Sequence, residues 1–309
     1  MELKVLTREQ VLKEADDGDL IYDGDVLVKC DLPKGLTVNV EGNLQILGNA
    51  HVDYIRVDGN LSVTGELSSD SGIEVGGNLD AKKSVVSKDN IYVEKLLDVD
   101  GDLKSSGSIN ADSIQVAGNI FSHGSLTASN TIVCNKDIES NSSIKVQGPI
   151  TSYDGDVVAS KDIEATSIIA NSIESTNGSI KVEDLIQADS VIYAVTVTKS
   201  ELKSGRKLSS HISVDNSGSL EVGGSIFAFK GITAGSILAD KDVIVAKGSV
   251  SVDNCITADT ISTSKDHTVS AGLKCTDAHL EDCGFIKANK INSIVKHGHI
   301  IQQSVPVSM

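Results

Sequence analysis

Starting at Leu44 and stepping about 18 residues at a time, the chain meets Leu61, Leu79, Leu97, Ile114, Ile132, Ile150, Ile168, Leu185, Leu202, Leu220, Ile237, Ile256, Leu273 and Ile291, and every anchor is Leu or Ile. A repeat of this kind constrains the fold more than any composition can. One unit cannot bury its own apolar face, so each must stack on the next. Between anchors the apolar positions recur in steps of about six, as in Leu61, Leu67, Ile73 and Leu79, or Ile120, Leu126, Ile132, Ile138 and Ile144. Two residues after an anchor stands a second small or β-branched residue, as in Leu61-Ser62-Val63, Leu79-Asp80-Ala81 and Ile114-Gln115-Val116. That period of two marks a short strand with both residues facing inward.

Gly-Asn, Gly-Asp or Gly-Ser precedes many of these strands: Gly42-Asn43, Gly59-Asn60, Gly77-Asn78, Gly101-Asp102, Gly118-Asn119, Gly155-Asp156, Gly218-Ser219 and Gly248-Ser249. Such residues tolerate positive φ, which predicts that they turn corners in that conformation. Three strands and three corners close a triangular coil of about 17–18 residues that stacks on its neighbour at ~4.8 Å by parallel pairing. The expected fold is therefore all-β, a single-stranded parallel β-helix of about 16 coils and roughly 75 Å. Small bulged loops are expected in Val191–Leu208 and Thr263–Gly272, where the rhythm loosens and Lys265-Asp266-His267 is extra.

A chain of 309 residues would ordinarily need two cores. Here the aliphatic rhythm is continuous, aromatic residues make up 3%, and no linker-like stretch interrupts it, so one repeat domain is expected. At the start, Thr7-Arg8-Glu9-Gln10 has capping-box spacing, Val11 and Leu12 offer an apolar side, and Asp17-Gly18 ends the pattern. This predicts a short helix over Arg8–Ala15. The resulting division is an N-terminal cap over residues 1–19, a parallel β-helix over 20–300 and a tail over 301–309, whose end is read as either open for association or folded back over the last coil.

The formal charge of -16 argues against a nucleic-acid partner. Residues 1–20 hold no signal-peptide apolar core and no later run reaches the ~20 residues of a spanning helix, so no membrane span and a cytoplasmic location are expected. Cys30, Cys134, Cys255, Cys275 and Cys283 contain no CxxC and suit neither a disulfide framework nor zinc; Cys134 and Cys275 fall where the repeat wants a small core residue.

Searching for chemistry yields little. The histidines are His51, His123, His211, His267, His279, His297 and His299, without HExxH, and neither GxSxG nor a P-loop occurs. His297-Gly298-His299 places two imidazoles on one strand face but lacks further ligands. Asp98, Asp100 and Asp102 alternate and would suit Ca²⁺ if they shared a face, yet the Gly-Gly-x-Gly-x-Asp nonapeptide of calcium-binding solenoids is absent. Gly76-Gly77 and Gly223-Gly224 are corners, with no helix following to receive a phosphate. No catalytic residue, metal site or cofactor is expected.

The Gly-Asn-Ile/Leu-x-Val/Ala units, as in Gly59-Asn60-Leu61-Ser62-Val63 and Gly118-Asn119-Ile120, resemble those of the bactofilins from roughly Gly42 to Ile291. The resemblance implies a right-handed triangular β-helix of bacterial, cytoskeletal type that assembles with itself without nucleotide. A second reading is a binding module, an effector, fibre or adhesin segment presenting a flat face to another protein. A third, a hexapeptide-repeat acyltransferase, would place Gly or another small or acidic residue after the aliphatic one. Glycine never follows the anchors above.

Overall fold

A computed structural model of the chain describes residues 3–14, 18–178 and 180–194 and, from 211 on, only the strand residues up to Ile286. The structure is an all-β solenoid of stacked parallel coils, three strands to a coil. α1 (Arg8–Glu14) is the one helix among the described residues. Two compact units, Met1–Gly155 and Asp156–Met309, are described in turn.

In the first unit three columns of inward residues run from coil to coil. One joins Leu20, Val38, Ile55, Ile73, Ile91, Ile109, Leu126 and Ile144. The second joins Val26, Leu44, Leu61, Leu79, Leu97, Ile114, Ile132 and Ile150. The third joins Leu32, Ala50, Leu67, Val85, Leu103, Ile120 and Ile138. All are buried. Since burying one Ile or Leu contributes roughly 1.5–3 kcal/mol, each coil is held mainly by these rungs, and the slim core needs no aromatic. The expected anchors from Leu44 to Ile150 occupy these positions.

The corners differ from expectation. Only Gly18, Gly35 and Gly72 have positive φ among the described glycines. The repeated corner glycines are needed for space instead. A Cβ on Gly59 would lie 2.6 Å from the Gly42 carbonyl oxygen and 2.8 Å from Asn43 Oδ1, and one on Gly118 would lie 2.6 Å from the Gly101 oxygen. Stacked backbones approach too closely there for any side chain.

The Asx residue after the glycine builds a second ladder. Asp25 Oδ1 accepts from Asn43 N (2.8 Å) and Nδ2 (2.9 Å), Asn43 Oδ1 accepts from Asn60 N and Nδ2 (both 2.9 Å), and Asn60 Oδ1 accepts from Asn78 N (2.9 Å). At the next corner Asp102 Oδ1 accepts from Asn119 N at 2.9 Å and Nδ2 at 3.0 Å. Each side chain thus satisfies a backbone donor of the following coil where the chain bends out of the sheet.

At some corners without glycine the strand runs through, whereas others, such as Lys82-Lys83-Ser84 between Leu79–Ala81 and Val85–Ser87, still separate two strands. Ile109–Val116 passes Ala111-Asp112-Ser113 as one strand, with a register shift between Ala111 and Ser113. The second unit uses this device more fully: Ile163–Ser175 and Ile180–Ala194 each contribute to all three columns, with shifts at Ala165/Ser167 and Ala170/Ser172. Its rungs join Ile163, Ile180, Ile212, Ile232, Val250 and Val269; Ile168, Ile186, Leu220, Ile237 and Ile256; and Val157, Ile173, Ile192, Ile226, Val243 and Ile261.

One expected anchor changes. Ile186, not Leu185, pairs with Ile168, because three steps separate these rungs and the last, from Ile180, is a full hexad. Ile186 then pairs directly with Leu220. Leu202 lies outside the described residues, as do Leu273 and Ile291, on which the count of sixteen coils drew. The expected loops of Val191–Leu208 and Thr263–Gly272 also fall largely outside them. Within the first stretch Val191–Ala194 is strand, and within the second Thr268–Ala271 is strand.

Candidate functional site

The outward Asp98 neighbours Asp80 in register. Burial and the Asp80 charge push the Asp98 carboxyl above its ordinary range. Lys82 Nζ sits 2.7 Å from Asp80 Oδ1 and 3.8 Å from Asp100 Oδ2. Asp102 belongs to the corner ladder, and its hydrogen bonds from Asn119 hold its carboxyl below the usual range. The alternating aspartates therefore have three different settings. Among the described residues no group of three His, Cys, Asp or Glu side chains is placed to hold a metal ion.

Nucleophiles are spent on structure. Ser69, Ser87, Ser105, Ser122 and Ser140 form a buried column in register, the second inward position of the third side. Ser69 Oγ donates to the Gly72 carbonyl at 2.7 Å, Ser105 to Asp89 at 2.8 Å, Ser122 and Ser140 both to Gly124 at 2.9 Å. Cys134 belongs to the same class: its Sγ lies 3.0 Å from the Gly118 oxygen, and burial pushes its thiol up to about 11, so it is an inert core residue, as its place in the repeat implied. This polar column was not read from the sequence, although a serine two residues after the aliphatic one, coil after coil, was the available signal.

The two histidines whose side chains are described do not converge. His51 Nδ1 is 2.6 Å from Ser68 Oγ, and His123 Nδ1 is 3.0 Å from Asn141 Nδ2, both on the outer surface. His211 begins the strand His211–Val214. His267, His279, His297, His299, Cys255, Cys275, Cys283, Gly223-Gly224 and the tail 301–309 lie outside the described residues.

The start of the first unit is the most distinctive surface. Strand Lys4–Leu6, within the segment expected as a cap, already pairs with Val26–Val28, and Asp19–Tyr22 pairs with Thr37–Val40. The other edge of each is without a strand among the described residues. Outward on this margin are Leu3 (53% exposed), Val5 (37%) and Ile21 (62%), while Leu6 and Leu20 are fully buried. Lys4 Nζ stands 5.5 Å from the centre of the Tyr22 ring.

α1 follows directly. Thr7 N donates to Gln10 Oε1 at 2.9 Å and Val11 N to the Thr7 carbonyl at 2.9 Å, which is half of the expected capping box plus the first helical turn. Glu9 in the first turn and Lys13 in the last complement the helix dipole. Val11 is buried, but Leu12, expected on the same apolar side, is half exposed. A cavity of about 370 Å³ lies at the helix, lined by Arg8, Val11, Leu12, Cys30, Asp31 and Pro33. Burial, with Asp31 beside it, raises the Cys30 thiol pKa.

No helix among the described residues is long and apolar enough to cross a membrane. Comparison of the chain with protein-family models, with curated proteins and with solved structures found no match.

Proposed function

We propose that the protein is a non-enzymatic structural scaffold that associates with itself, a bactofilin-like right-handed β-helix acting in the cytoplasm of a bacterial cell. The observation that carries this reading is how the inward polar groups are used. The inward hydroxyls of Ser69, Ser105, Ser122 and Ser140 and the Cys134 thiol are bonded to corner carbonyls, and the corner Asx side chains are bonded to backbone donors. A reaction centre needs a nucleophile, base or Lewis acid left free to meet a substrate. The polar chemistry described above instead ties strands to corners, within a coil or from one coil to the next.

The free edges beside Val5 and Ile21 supply the means of association, since an exposed strand edge is a template for another strand unless it is covered. In this reading α1 caps one side of the first coil and leaves the other two edges available to a second copy. Electron microscopy of the purified chain over a concentration series tests the proposal. Particles that grow with concentration are expected. A single monomeric species at every concentration would overturn self-association and favour the binding module, whose outward rows include Arg56, Glu74 and Tyr92 in register.

A further inference from the structure

We propose that α1 is a displaceable lid: it opens as a unit, independently of the coil stack, and its opening uncovers Cys30 and the first coil to a second copy of this chain. Seven residues are too few to hold a helix in water by themselves, so α1 depends on its docking. That docking is thin. Among the described side chains of the helix Val11 alone is fully buried, Arg8, Glu9, Gln10, Leu12 and Lys13 are exposed, and a cavity remains where Arg8, Val11 and Leu12 face Cys30, Asp31 and Pro33. Strands of this coil and of the next are anchored differently. Leu6, Leu20, Val26 and Val28 are all buried and paired to the following coil through backbone bonds such as Lys4 N to Asp25 O (2.9 Å) and Val26 N to Asn43 O (2.8 Å). α1 makes no such pairing. An element tied by one side chain over an incompletely filled space opens before one tied by rungs.

Cys30 reports the opening directly. It is half-buried at the cavity wall, whereas Cys134 is fully buried in the stack and is released only when coils separate. The gating role rests on the proposed self-association, but the lid itself does not.

The test is site-resolved thiol labelling of the full-length chain, read by mass spectrometry, with Val11→Ala and, as a milder variant that keeps the apolar contact, Gln10→Ala, which loses the bond to Thr7 N. Labelling of Cys30 is expected to rise about tenfold or more in Val11→Ala and a few-fold in Gln10→Ala, with Cys134 unchanged in both. Unchanged Cys30 labelling, or Cys30 and Cys134 rising together, would overturn the lid. Sedimentation velocity on the same samples then reads the gating: a larger associated fraction in Val11→Ala supports it, and equal association with Cys30 freed contradicts it. If neither protein associates at any concentration, it is the scaffold reading that fails, while labelling still decides whether α1 opens.

Discussion

The two units solve the same geometric problem with different residues. Around Leu61, Leu67 and Ile73 in the first unit, each side of a coil is a separate three-residue strand, and the bends between carry Gly-Asn or a similar pair. In the second unit, Ile163–Ser175 and Ile180–Ala194 run through two bends each without a glycine. The rung side chains whose burial is described are buried in both. The bend therefore depends on spacing and on the inward rung, while the glycine is required only where the stacked backbones come too close for a Cβ. Ile109–Val116, a glycine-free bend inside the first unit, gives the same continuous strand and the same kind of register shift, while Lys82-Lys83-Ser84 separates two strands without a glycine, so lack of glycine permits the continuous strand without imposing it.

If the rungs are equivalent, Ile132→Asp in the first unit and Ile173→Asp in the second should both be severe. Each buries a charge with no partner, at a cost on the order of 4 kcal/mol or more. Urea titration followed by circular dichroism checks it, and a mild effect in one unit alone would break the equivalence. The bends should separate the units. Gly59→Ala forces a Cβ against the Gly42 backbone and should cost about 1–3 kcal/mol, as overpacking does. Asn171→Ala, at a glycine-free bend, removes one exposed bond to Asp156 and should cost under about 0.5 kcal/mol.

The smallest effect is electrostatic and confined to the outer face. Asp98 has a folded pKa raised by burial and by Asp80, so the folded state binds its proton more tightly than the unfolded chain does. Its penalty is absent below the unfolded value near 3.8 and is complete once the pH has passed the raised folded value. Asp98→Asn should accordingly stabilise the protein slightly near neutral pH and not at all in strong acid. Asp102, whose carboxyl is depressed by Asn119, has the opposite sign: its contribution is present above the unfolded value and is lost as pH falls through the folded one. Thermal melts across pH distinguish the two.

Much of the fold was legible because the core is a one-dimensional code. Leu44, Leu61, Leu79 and Leu97 stand at nearly constant spacing and each meets the next in register. The code drifted where step lengths compensate one another: Leu185 and Ile186 are both apolar, and only pairing with Ile168 chooses between them. The place of the corner glycines was legible, but their reason was not, since contact between coils is invisible in a single coil's sequence. Thr7 and Gln10 announced α1 at Arg8. That Val11 would anchor it while Leu12 stays exposed, with Cys30 across a cavity, depends on packing between segments about 20 residues apart.

The most demanding step of the ladder is the pairing of Ile186 with Leu220, whose chain neighbours Gln187 and Glu221 are register partners. Gln187→Cys paired with Glu221→Cys, in a chain whose other cysteines are replaced by serine, tests that step with a short thiol cross-linker. Rapid intramolecular linkage of these two positions is expected, faster than for Gln187→Cys paired with Leu238→Cys, one rung further on in the register. Linkage of positions 187 and 221 no faster than that control would contradict the register.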